Sequence, residues 1–105
     1  MAEHHRQAID RSRRLAVLVA QERAEAIRQQ IAAGLTCLSV VENLVEDGRA
    51  EEAKALLKKM HRLAEAVRRH CNEPDHVPAA EVAELRESLE HLETRIAAID
   101  QILDA

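Results

Sequence analysis

The chain has 105 residues, a net charge of −4 at pH 7, and no Phe, Tyr or Trp. Its apolar 47% is built from 19 Ala, 12 Leu, 8 Val, 6 Ile, 2 Met and 2 Cys. That length supports one domain with a working core, while the missing rings exclude base stacking on single-stranded nucleic acid and interfaces anchored on Tyr or Trp.

Only Gly34, Gly48, Pro74 and Pro78 punctuate the chain, so the composition predicts an all-α fold. A long first helix is expected over residues 6–47. Val17, Ala20, Ala24, Ile27, Ile31, Gly34, Leu38, Val41 and Val45 recur at steps of three and four, and Leu35 and Leu44 widen the stripe. The run ends at Asp47-Gly48, where glycine supplies a left-handed cap. About 40 residues at 1.5 Å each make a rod near 60 Å. Gly34 costs about 1 kcal/mol relative to Ala inside it and suits a close helix crossing or a bend.

A second helix is expected over 49–72, with Ala53, Leu57, Met60, Ala64, Val67 and Cys71 on its seam and Leu56 and Leu63 beside it. Glu51 and Glu52 in its first turn and Arg68, Arg69 and His70 in its last suit the helix dipole. Residues 73–77 read as a loop, and Pro78 as the first position of a third helix over 78–104. There Val82, Leu85, Leu89, Leu92, Ile96, Ile99 and Leu103 form a coiled-coil-type seam, fit to close the bundle or to receive a partner helix.

Residues 49–72 carry a net +4 and residues 73–105 a net −7, which makes the second and third helices neighbours, with Lys58, Lys59 and Arg62 facing the glutamates. Helix lengths then do not match. The second helix, running back from Gly48, reaches only to about residue 24 of the first, and the third returns beside the same half. Ile9, Leu15, Val17, Leu18 and Val19 are left without cover. The simplest cover is a second copy in an intertwined two-fold dimer, with Ile9, Leu15, Val17, Leu18, Ala20, Ala24 and Ile27 as the self-association interface. A break near Gln21–Glu25, folding the arm back as a fourth helix, is the alternative.

Most catalytic constellations fail on inventory. The two glycines, Gly34 and Gly48, are too far apart for a phosphate loop or a nucleophile elbow. Glu73-Pro-Asp-His76 is the lone Glu-x-x-His and falls in the loop, not on a helix as a di-iron bundle requires. His70, Cys71, Asp75 and His76 cluster in sequence, but Cys71 belongs to the apolar seam; the reading adopted is a helix C-terminus with a well-placed histidine, and no metal or cofactor is assigned. His61, between Lys59 and Arg62, reads as a histidine on the edge of a basic face rather than a phosphate acceptor. His4 and His5 fall in the terminus and carry little weight. Arg6, Arg11, Arg13 and Arg14 form a small basic cluster with no nucleic-acid reading motif, so nucleic acid is not expected as a partner.

Cys37 and Cys71 sit about 20 Å apart along a hairpin turning at Gly48, too far for a disulfide, and read as small buried hydrophobes in a reducing compartment. The longest apolar run, Leu15–Ala20, is too short to span a bilayer. A cytoplasmic location without membrane contact is expected.

Two family resemblances accompany this reading. Ile27-Arg-Gln-Gln-Ile31-Ala32-Ala33-Gly34-Leu35, followed by the Gly48 hairpin, resembles the dimerisation hairpin of sensor histidine kinases. Ala32 and Ala33 stand where that family has its phospho-accepting His and the acid beside it, so the resemblance implies a dimer scaffold without phosphoryl chemistry. Arg6, Ile9-Asp10, Leu15, Leu18, Ala20 and Arg23 resemble the start of the long helix of all-helical chorismate mutases, which are intertwined dimers. That resemblance implies an enzyme with a pocket lined by Arg6, Arg23 and Arg28, although Gly34 stands where the family has a lysine. The expectation carried forward is an all-α antiparallel bundle of three helices, forming a homodimer that acts as a non-enzymatic scaffold or adaptor for a protein partner.

Overall fold

The computed structural model describes residues 2–104, with side chains described for residues 6–104; His4 and His5 lie outside the latter. Three helices account for nearly all of it: α1 (Ala2–Glu46), α2 (Ala50–Asn72) and α3 (Ala79–Asp104), with no strand among the described residues. α1 is unbroken, so no fourth helix forms at Gln21–Glu25. It starts before residue 6 because neither Gly nor Pro interrupts the stretch. Pro78 immediately precedes α3 rather than opening it, a difference within the usual scatter of helix ends.

The first turn follows from one glycine. Gly48 has φ +74°, which side-chain-bearing residues rarely adopt. The Arg49 N–H donates to the Leu44 carbonyl at 2.8 Å and the Gly48 N–H to the Val45 carbonyl at 3.1 Å. These two bonds are the Schellman closure, satisfying carbonyls that the end of α1 leaves open. The second connection is closed less regularly: Asp75 takes the left-handed conformation at φ 58°, and the Glu73 N–H donates to the Arg69 carbonyl at 3.2 Å. Asp tolerates that conformation better than most residues.

The three helices pack against one another pairwise around one aliphatic core. Ala24, Ile27, Ile31, Leu38 and Val41 come from α1, the six expected seam residues from α2, and Leu85, Leu89, Leu92, Ile96 and Ile99 from α3. Val82 and Leu103, at the ends of the α3 seam, are half-buried. Val77 is also buried, although it lies in the connection.

At Gly34, side chains of both α2 and α3 press against the backbone of α1. A Cβ added there would stand 2.9 Å from Leu63 Cδ2 on α2 and 3.3 Å from Leu92 Cδ1 on α3. The glycine thus serves the close crossing, offsetting its helix cost of about 1 kcal/mol with contacts from two directions. The obstructing atoms are the tips of leucine side chains, which can move by tenths of an ångström. Gly34→Ala is therefore expected to be neutral within about 1 kcal/mol, the helix gain offsetting the shift, whereas Gly34→Val overpacks the crossing and destabilises by about 2–3 kcal/mol. Urea denaturation of both variants checks this; equal losses would remove the crossing from its central place.

Candidate functional site

The N-terminal arm is the first feature the fold leaves unexplained. Burial on α1 begins at Ala24; residues 6–19 and 21–23 are exposed and Ala20 is half-buried. The molecule extends 70 Å along its long axis but only 18 × 15 Å across, as a long helix projecting from a shorter bundle requires. Leu15 is 61% exposed, Val17 55%, Leu18 54%, Val19 41% and Ile9 39%. At about 100° per residue the apolar run Leu15–Ala20 points in every direction around the helix. A helix apolar all round needs enclosure on more than one face.

Of the residues expected at a self-association interface, Ile9, Leu15, Val17 and Leu18 are on this arm and Ala20 is at its root. Ala24 and Ile27 are instead in the chain's own core, 0% and 3% exposed, because α2 and α3 reach that far along α1. The α3 seam is likewise filled within the chain.

Charged side chains tie the helices at their rims. On α1 and α3, Arg28 pairs with Glu81 and Glu84, and the Arg95 guanidinium donates to Glu42 at 2.6 Å. On α2 and α3, Arg68 grips Glu93 through both Nε (3.1 Å) and Nη2, and His61 Nε2 lies 2.7 Å from Asp100 Oδ2. Lys58, Lys59 and Arg62 were expected on this rim but are exposed and form no ion pair among the described residues. They fall on the helical direction opposite the buried seam, so Arg68 and His61 flank α3 in their place. The hydrogen bond to Glu81 raises the pKa of Arg28 above the usual arginine value.

Arg6, Arg23 and Arg28 do not converge. Arg6 and Arg23 are exposed on the arm, and Arg28 is held by carboxylates at the edge of the bundle. Cys37 and Cys71 are free thiols; burial pushes the Cys71 pKa up, against the weaker opposing pull of Arg86 and Arg68, leaving it a core hydrophobe.

The end of α2 and the loop after it gather a second group. His70 Nδ1 lies 3.0 Å from His76 Nε2, with the rings stacked at 4.8 Å between centroids and 16° between planes. His76 Nδ1 lies 3.0 Å from Glu73 Oε2, and the His76 side chain is only 17% exposed. Ligand atoms of His70, Glu73 and His76 all lie within 4.8 Å of one another. The sequence cluster His70, Cys71, Asp75, His76 is thus only half assembled: Cys71 is in the core, and Glu73 takes its place beside the histidines. The signal for Glu73 was its spacing to His76, which looked inert because it falls in a loop.

No family model matches the chain, and no curated protein or solved structure does either. Among the described residues no helix is long and apolar enough to cross a membrane.

Proposed function

We propose that the chain is an antiparallel three-helix bundle that assembles as an intertwined homodimer and works as a non-enzymatic scaffold or adaptor for a protein partner, in the cytoplasm. The observation that carries this reading is the arm: five large aliphatic side chains on residues 9–19, pointing all round a helix with no cover among the described residues. A second copy supplies two walls at once, its own arm and the end of its bundle, which a single partner helix would not.

The ion-pair registers support the antiparallel arrangement. Residue numbers rise together in the pairs Arg28–Glu81 and Glu42–Arg95, and run oppositely in His61–Asp100 and Arg68–Glu93. Arg28 already committed to carboxylates, together with arginines that do not converge, favours binding over catalysis on a dianionic substrate. With the α3 seam used inside the bundle, the surface left for a partner is the basic outer face of α2. Lys58, Lys59, Arg62 and Arg69 are exposed on it, which suits an acidic segment.

Light scattering at micromolar concentration is expected to give the mass of a dimer. Burying the exposed portions of Leu15 and Leu18 contributes about 1 kcal/mol or more apiece, so Leu15→Glu with Leu18→Glu is expected to raise the dimer dissociation constant at least ~100-fold. A wild-type monomer sinks the dimer. A separate experiment addresses the partner: tagged chain recovered from its own cells should retain an acidic protein, lost when Lys58, Lys59 and Arg62 are all changed to Glu. Retention unaffected by that reversal would move the partner surface elsewhere.

A further inference from the structure

We infer that His70 and His76 form a binding site for a borderline divalent metal ion of the zinc type, oriented by Glu73 and located where α2 ends. The bonding pattern of the triplet leads there. His76 Nδ1 lies 3.0 Å from Glu73 Oε2, a charge-pair distance that sets a carboxylate beside the ring. His76 Nε2 faces His70 Nδ1 at 3.0 Å, one nitrogen donating and the other accepting. A single proton separates the two nitrogens. Moving it to the far nitrogen of its own ring leaves a free lone pair on each of the facing nitrogens with no proton lost.

The separation fits a metal. Two nitrogens bound at 2.0–2.1 Å in tetrahedral geometry stand about 3.3–3.4 Å apart. Opening the observed 3.0 Å contact by a few tenths of an ångström, with the two rings turned so that both nitrogens aim at one point, admits the ion. Glu73 stands beside the far nitrogen of His76, within reach of the carboxylate–histidine–metal relation that, once formed, fixes tautomer and ring orientation and strengthens the ligand. Imidazole donors select zinc, copper or nickel over magnesium and calcium, which need oxygen sets. Two protein nitrogens leave the remaining positions to water, so the ion is exchangeable rather than a closed structural centre.

The site spans the end of α2 and the connection that follows it. His70 belongs to the last turn of α2, while His76 sits beyond the left-handed Asp75 and just before the buried Val77. Bridging them clamps the connection to α3 at the end of the bundle near Arg28, which pairs with Glu81 there. This holds whether or not the chain dimerises.

Calorimetric titration of tag-free protein with Zn²⁺ tests it. One ion per chain is expected, with a rise in melting temperature. His70→Gln and His76→Gln should each weaken binding at least ~100-fold, and Glu73→Gln by about 10-fold or more. Changing His4 and His5 to Gln should leave this one-ion binding in place. In the wild-type chain, zinc should displace the ring-nitrogen resonances of His70 and His76 selectively, a reading that needs no variant to fold. Absence of binding at ~100 μM Zn²⁺, binding lost only with His4 and His5, or unchanged affinity in folded His70→Gln and His76→Gln would each overturn the site.

Discussion

The close approach of three helices at Gly34 is the contact on which the rest of the structure depends. A chain without aromatic rings has only aliphatic side chains with which to fill a core, and each buries less area than a ring would. Such a core is dense only if the backbones come near. Leu63 and Leu92 occupy the space a side chain at position 34 would take, so α2 and α3 both settle on α1 at one level. From that level the seams run outward in register: Ala24 to Val41 on α1, Ala53 to Cys71 on α2, Leu85 to Ile99 on α3.

Once the crossing is set, the unequal helix lengths decide what remains. α2 and α3 have 23 and 26 residues against 45 in α1, so they cover α1 only from Ala24 onward. The arm and the histidine junction are products of the same geometry. One is what α2 fails to cover, and the other forms where α2 ends and the chain turns to begin α3. The ion pairs at the rim select neighbours; exposed pairs of this kind add little stability.

The helices and their buried faces were legible because an aliphatic stripe at steps of three and four can point only one way. The Gly48 cap was legible for a similar reason, one residue type and one conformation. Val77 was not, because a lone valine between Asn72 and Pro78 has no period to reveal it. Its signal was positional: Val77 and Val82 stand at the two ends of a hydrophobic staple on α3. Net charge correctly made α2 and α3 neighbours but named the wrong cations, since charge by segment carries no angle. Lys58, Lys59 and Arg62 point away, whereas Arg68 and His61 point across. The histidine junction was half legible for the opposite reason. Its members are close in sequence, but whether Cys71 or Glu73 joined them turned on where the helix ended.

A helical extension without tertiary contacts gains nothing from packing, so its amides open locally at little cost, and cover over residues 6–23 shows as protection. Amide hydrogen exchange across residues 9–19, measured over a dilution series, tests for that cover directly. If a second copy encloses the arm, these amides exchange at least ~10-fold more slowly at high protein concentration than after dilution, while those of residues 27–41 stay protected throughout. Fast exchange of the arm at every concentration, or protection that dilution leaves unchanged, would contradict it.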